Sequence, residues 1–198
     1  YRFDVYSIEP LKRLNVFVDA NTAEIITAHN LIADADLACT GETNYSCNNT
    51  VNMTCDDSNA PNSYALHDDA RNITTYTSNN TNAYPHDVIT ESDTHFDTDK
   101  TATDVHYNTE QTYEYFLNEH GLDGFDNNHT PIESWVHYNL IAEGYPSNDN
   151  AFWDGNWMTY GDGTNWSSVT SLDIVAHEFT HAVTQHSASL VIATNLVL

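Results

Sequence analysis

The H-E-x-x-H motif formed by His177, Glu178 and His181 restricts the fold of this chain more than any other feature. On an α-helix the two histidines lie one turn apart on the same face, so both imidazoles can bind one tetrahedral zinc ion. Glu178 lies about 100° around the helix from His177 and can face a water molecule without binding the metal. A carboxylate in that position suits a general base for water attack on a peptide carbonyl. The motif therefore predicts a helix built for zinc-dependent hydrolysis.

The residues around the motif predict that this helix is half-buried. Apolar residues recur at helical spacing on the side expected to face the core, namely Val175, Ala176, Phe179, Ala182 and Val183. Thr170, followed three residues later by Asp173, predicts a helix N-cap with an acidic residue in the first turn. The alternative is a core helix with two hydrogen-bonded histidines and no metal.

The charge of the chain excludes several classes of partner. Its 198 residues have a formal net charge of −24, from 5 Lys and Arg against 29 Asp and Glu. Such a surface excludes nucleic acid and anionic membranes as working partners, and it is typical of a secreted protein or of one that binds calcium. No apolar run approaches transmembrane length. Because the chain begins at Tyr1 without a signal-peptide pattern, we expect it to be a fragment.

Three cysteines, Cys39, Cys47 and Cys55, fall within one polar stretch. Two of them can pair in an oxidising compartment, which leaves one over, and the spacing does not decide which two. The even spacing is not that of a zinc site, so a structural disulfide is the favoured interpretation.

The first 100 residues predict short strands and loops. Residues 1–37 alternate as a small antiparallel unit, with strands at 3–8 and 16–18, a turn at 19–22 and a returning strand at 25–26. Residues 34–62 are rich in Asp, Asn, Thr and Ser and predict a loop or domain boundary. Further short strands are expected at 63–66 and 72–76.

An acidic segment precedes a predicted helix. Asp93, Asp97 and Asp99 can together hold calcium, but a solvated acidic loop is the favoured interpretation. Residues 103–104 then predict the start of a packing helix, and Gly121 predicts its end.

A strand and a hairpin are predicted before the zinc helix. Residues 131–140 alternate as a strand with Trp135, His137 and Asn139 on one side. Residues 150–160 contain two aromatic runs separated by an Asp-Gly pair, which is a strong hairpin signal. Such a hairpin can offer a strand edge to an extended peptide, and an ordinary core hairpin is the alternative.

Several blocks of the sequence resemble, in the same order, the thermolysin-like neutral metalloproteases (peptidase family M4). These blocks are residues 103–107, 134–138, 150–155, 158–163 and 173–184. The resemblance extends over residues 63–190. An ordered series of blocks is more specific than the H-E-x-x-H motif alone.

The beginning of the chain resembles a different part of the same precursors. Residues 1–37 are similar to the end of a PepSY-type propeptide, with Ala23 where Gly is usual. The maturation cut is then expected between residues 34 and 39. The resemblance implies two parts, the propeptide end at 1–38 and the N-terminal lobe at 39–198, truncated after the motif helix.

The resemblance implies an α+β fold, in which a β-rich N-terminal lobe precedes the central zinc-binding helix and the helical C-terminal lobe is missing. It implies the following roles: zinc ligands His177 and His181, catalytic base Glu178, calcium ligand Asp173, and substrate-backbone contacts Asn150 and Ala151. It also implies a secreted, monomeric zinc endopeptidase with bound Zn²⁺ and Ca²⁺. Its partners are protein or peptide substrates and its own propeptide.

The sequence departs from the family after residue 190. The family's third zinc ligand is a Glu about twenty residues after the second His, which falls beyond Leu198. Ile192 stands in the place of a Tyr that helps to stabilise the oxyanion. We therefore expect this fragment to bind zinc weakly and to cleave little or nothing. The alternative is a non-catalytic, calcium-stabilised binding or inhibitory module with a decayed protease site.

Overall fold

The structure, a computed structural model, describes residues 1–8, 11–30, 36–45, 49–57 and 63–188, with only the backbone at 6–8, 11–15 and 27–30. The strands are β1 (Arg2–Ile8), β2 (Leu11–Val18), β3 (Ile25–Asn30), β4 (Leu37–Glu42), β5 (Thr50–Asp57), β6 (Tyr64–Ala65), β7 (His67–Asp68), β8 (Ile73–Thr77), β9 (Thr90–Glu91), β10 (His95–Phe96), β11 (Ile132–Val136), β12 (Ala151–Trp153) and β13 (Met158–Tyr160). The helices are α1 (Lys100–His120), α2 (Leu140–Glu143) and α3 (Leu172–Ala188). This arrangement of sheets with separate helices confirms the α+β class.

The N-terminal sheet consists of β1, β2 and β3 in antiparallel order. Its second turn is held by Asp19, whose carboxylate accepts hydrogen bonds from the backbone N–H groups of Asn21 at 2.7 Å and Thr22 at 3.0 Å. Ala23 follows with a φ of 60°, in the left-handed region that favours glycine. The predicted antiparallel unit is confirmed, and the backbone at Ala23 has a conformation that glycine would adopt at lower cost.

The second sheet has the order β10-β4-β5-β6-β9. Strands β4 and β5 lie within residues 34–62, so the loop predicted there is wrong for these two segments. The polar composition concealed a strand pattern, because inward residues alternate with polar outward ones along β5. The buried residues of β5 are Val51, Met53, Cys55 and Asp56.

A disulfide joins the two central strands of this sheet. Cys39 of β4 and Cys55 of β5 are bonded with their Cα atoms 5.8 Å apart, which confirms a structural disulfide. Cys47 lies outside the described residues. The predicted boundary after residue 38 falls inside β4, which begins at Leu37.

The third sheet has the order β12-β13-β11-β8-β7 and contains the predicted hairpin. The expected strands at 63–66 and 72–76 correspond to β6 and β8, whereas β7 was not predicted. The strand predicted over 131–140 is too long, because it ends at Val136 and His137 adopts a φ of 56°. The chain then turns into α2, whose N-cap Asn139 accepts a hydrogen bond from the Ala142 N–H at 3.0 Å.

Helix α1 packs against the second sheet, the third sheet and α3. It begins at Lys100, three residues before the predicted start, because Asp99 is the N-cap and accepts a hydrogen bond from the Ala102 N–H at 3.0 Å. Gly121 ends it in the left-handed conformation, as predicted. Phe116 of α1 stacks on Phe179 of α3 with ring centroids 5.4 Å apart. Across the described ranges, no helix has the length and apolar character needed to cross a membrane.

Candidate active site

Helix α3 begins one residue later than its predicted cap implies. The backbone carbonyl of Ser171 accepts hydrogen bonds from the N–H groups of Ile174 and Val175, both at 3.0 Å, so Ser171 precedes the first turn. Thr170 is instead held by α1, because its carbonyl accepts a hydrogen bond at 2.9 Å from the side-chain amide of Asn108. Four of the predicted inward residues, Val175, Phe179, Ala182 and Val183, are buried, whereas Ala176 is half-buried. The predicted amphipathic helix is confirmed, and the predicted N-cap is wrong.

The two motif histidines converge on one point. Their Nε2 atoms lie 2.9 Å apart, and ligand atoms of His177, Glu178 and His181 all lie within 4.8 Å of one another. Two Zn–N bonds of about 2.0–2.1 Å at a tetrahedral angle place the nitrogens about 3.3 Å apart, so a small ring rotation accommodates zinc. Burial and the neighbouring His177 lower the pKa of His181, which favours the neutral imidazole that binds metals. The two imidazoles therefore fit two of the four ligand positions of zinc.

Glu178 lies beside the histidines but faces the sheet. It is only 3% exposed, and its Oε2 accepts a hydrogen bond at 2.9 Å from the backbone N–H of Trp153 in β12. Burial raises the pKa of Glu178 to about 7, and the Trp153 N–H partly opposes this rise. A carboxyl group with a pKa near neutrality can both accept and return a proton.

Strand β12 lies at the edge of its sheet, next to Glu178. The carbonyl of Asn150 accepts the Gly161 N–H at 3.0 Å, whereas the Trp153 N–H points away from β13. Backbone polar groups alternate sides along an antiparallel strand, so those of Ala151 share the free edge with Trp153. The side-chain Oδ1 of Asn150 is buried and has no hydrogen-bond partner among the described residues. The predicted substrate residues thus lie where a strand can be added.

Among the described residues, the predicted calcium ligands do not lie in a group of three or more metal-binding side chains. Asp173 is exposed in the first turn of α3, where its carboxylate accepts a hydrogen bond at 2.6 Å from Ser171 Oγ. In the described part of the chain, neither Asp173 nor the Asp93–Asp97–Asp99 segment belongs to a three-residue group with metal-binding spacing. Calcium binding stays a prediction. The tail at 191–198, including Ile192, lies outside the described residues.

An ion-paired histidine that the sequence did not reveal supports the segment leading to α3. His137 Nε2 lies 2.8 Å from Asp99, the N-cap of α1, and its Nδ1 lies 2.7 Å from Asp162 in the loop after β13. Burial alone lowers the pKa of His137, but the hydrogen bonds to Asp162 and Asp99 raise it to about 10. The charged imidazole therefore joins three segments that are far apart in the sequence. Because Asp99 takes part in this ion pair and caps α1, the interpretation of a solvated acidic loop is wrong for Asp99.

Comparison with known proteins places this geometry in a family. Residues 39–185 match the catalytic domain of the thermolysin metallopeptidases. The chain is 36% identical over 180 residues to bacillolysin of Brevibacillus brevis, an alignment that covers 88% of this chain and 32% of that protein. It is 32% identical over 202 aligned positions to an extracellular elastase of Staphylococcus epidermidis, which covers 96% of this chain and 38% of that protein.

A solved structure supports the same assignment. The precursor of protealysin, a metalloproteinase from Serratia proteamaculans, superposes with a TM-score of 0.52 at 26% identity, covering 60% of this chain and 36% of that one. The chain spans about a third of the length of the curated relatives described above. The family match over most of the chain, together with the H-E-x-x-H helix behind an edge strand, shows that this chain belongs to the thermolysin-like zinc metalloproteases, peptidase family M4.

Proposed function

We propose that the whole protein is a secreted zinc endopeptidase in which Glu178 activates water for attack on a peptide bond. The observation that supports this most directly is the position of the Glu178 carboxylate. It lies between the converging histidines and the Trp153 N–H at the free edge of β12. A core helix without a metal would not require a buried carboxylate at this point, because an unneeded buried charge is costly.

The proposed division of labour follows from these contacts. His177 and His181 would hold zinc, which would lower the pKa of water and polarise the scissile carbonyl. Glu178 accepts a proton from the attacking water and returns it to the leaving amine, a role suited to its pKa of about 7. The Trp153 N–H fixes the orientation of this carboxylate.

We propose that substrate binds as an extended strand along β12. The polar backbone of Ala151 lies on the free edge and can pair with a peptide backbone. The buried Oδ1 of Asn150, which has no partner in the described part of the chain, can accept a hydrogen bond from a substrate N–H. Both residues would then hold the scissile bond next to Glu178.

The remaining parts of the proposal concern maturation and environment. Residues 1–38 would be the end of a propeptide that contacts its own protease. This is supported by relatives whose alignments cover 96% of the chain and so extend into residues before 39. The extracellular elastase among the relatives supports secretion. A monomer with a calcium ion at Asp173 completes the proposal.

Hydrolysis of an internally quenched peptide by the whole protein, with and without a chelator, tests this function. We expect chelator-sensitive cleavage that Glu178→Gln reduces by about 10³-fold or more, while zinc content is retained. His181→Ala is expected to lose both zinc and activity. Glu119→Gln, at an exposed position of α1, is the matched control and is expected to cleave normally. Zinc binding without any cleavage by the whole protein would favour the non-catalytic module.

A further inference from the structure

A second group of metal-ligand side chains lies away from the zinc helix. Asp56 is at the end of β5, His67 is in β7, and Asp69 follows β7. One ligand atom of each residue lies within 4.8 Å of the other two. Among the described residues, this is the one group besides that of α3 with such spacing.

The ring of His67 is held in place from outside the group. Its Nδ1 lies 2.7 Å from Thr74 Oγ1 in β8, which is the kind of outer contact that orients a metal-binding imidazole. The Nε2 atom is thereby directed at the carboxylate of Asp69, at 2.9 Å. Two metal–ligand bonds of about 2.1 Å at a right angle separate their ligand atoms by about 3.0 Å. At the tetrahedral angle of zinc the separation is about 3.4 Å. The hydrogen-bonded pair at 2.9 Å therefore needs only a small movement to become two ligands of one ion.

One side chain of the group is buried, and the other two are partly exposed to solvent. Asp56 is 3% exposed, whereas the side chains of His67 and Asp69 are 27% and 44% exposed. A metal ion can therefore enter from solvent and keep water in its remaining coordination positions. Calcium and magnesium prefer oxygen ligands, whereas an imidazole with two carboxylates suits a transition-metal ion such as zinc or manganese.

Neighbouring contacts support the backbone next to this group. The carboxylate of Asp36 accepts hydrogen bonds from the backbone N–H groups of Asp69 at 2.8 Å and Ala70 at 3.0 Å. Arg71 contacts Asp68 and Glu114 through its guanidinium group. The nearby positive charge is thus directed at other carboxylates.

We propose that Asp56, His67 and Asp69 form a second binding site for a divalent transition-metal ion, which links β5 to β7. This site does not depend on the proposed protease activity. An ion at this position neutralises two carboxylates in a chain of net charge −24 and joins two neighbouring segments of the lobe.

Zinc titration of the 198-residue chain tests the proposal. The His177→Ala/His181→Ala variant lacks the helix ligands. After chelator dialysis we expect calorimetry to show that it binds about one Zn²⁺ per chain, at the proposed second site. Adding His67→Ala or Asp69→Asn is expected to weaken this binding by about tenfold or more. Circular dichroism checks the fold, and Asp69→Asn provides a conservative change at an exposed position.

His129→Ala is the matched control. His129 and Asp123 also form a partly exposed His–Asp pair at 2.9 Å, but no third ligand joins them in the described part of the chain. This control is expected to leave the second zinc in place. The proposal is overturned if the double-alanine variant binds no zinc, or if His129→Ala weakens binding as much as His67→Ala. Normal binding by both the His67→Ala and Asp69→Asn variants would overturn it as well.

Discussion

The two metal-ligand groups of this protein are built in opposite ways. His177, Glu178 and His181, the helix group, come from one turn of α3. Asp56, His67 and Asp69, the strand group, come from two segments that the pairing of β5 with β6 brings together. The helix group can be read from the sequence, since a spacing of four residues already fixes which side chains meet. The other group depends on strand pairing and has no short motif. Local spacing therefore reveals one kind of site and conceals the other.

The largest expected effect is the loss of zinc affinity when urea unfolds the chain, which should differ between the two groups. With His177→Ala/His181→Ala, which keeps the strand group, we expect urea to weaken zinc binding by about 100-fold or more, because unfolding disperses its ligands. With His67→Ala, which keeps the helix group, we expect a loss of about tenfold, because two histidines four residues apart stay close. Competition with a chromophoric zinc indicator measures both.

The triple variant lacking His67, His177 and His181 measures background binding by the unfolded chain. An equal loss in both variants would break the comparison, since it would show that the helix group also depends on the complete fold.

The His137 bridge extends the comparison to stability. Like the strand group it joins distant segments, so we expect His137→Ala to lower the free energy of unfolding by about 2–4 kcal/mol, because Asp99 and Asp162 then face each other without a cation. His129→Ala removes an exposed His–Asp pair and should cost less than about 1 kcal/mol. Urea unfolding of the two variants gives the difference. Equal losses would show that the bridge is no more than a surface ion pair.

The same bridge gives a pH dependence with a defined sign. The pKa of His137 is raised to about 10 in the folded protein, so the folded state keeps a proton that the unfolded state loses above pH 6.5. Its contribution is complete below pH 6.5 and is lost as pH rises through 10. We expect the stability difference between wild type and His137→Ala to shrink over this window in urea titrations. A difference that grows with pH would contradict the charged bridge.

Features that depend on neighbouring residues could be predicted from the sequence more readily than features that depend on contacts between distant segments. The Asp-Gly turn and Gly121 are local signals, and both gave the correct element. The Asp99 cap is also a local contact, with the Ala102 N–H, but residues 103–104 offered a competing helix start. The pairing of Asp99 with His137 has no local signal in the sequence. Residues 34–62 were expected to be a loop or domain boundary because polar composition outweighed the alternation along β5. Thr170 resembled a cap, but contacts with α1 determine its position.

The smallest expected effect concerns a purely local feature, the left-handed Ala23. Replacing it with glycine removes the steric cost of its φ of 60°, and we expect a net gain of about 0.5–1 kcal/mol in the N-terminal sheet. Ala28→Gly, in the extended β3, should lose a similar amount because glycine has more conformational freedom to lose. Hydrogen exchange of the amides in β2 and β3 measures both changes. Opposite signs would show that backbone conformation at a single residue sets this effect, as expected where neighbours along the chain decide the structure. If Ala23→Gly instead lowers protection, then contacts made by the Ala23 methyl group outweigh its backbone strain.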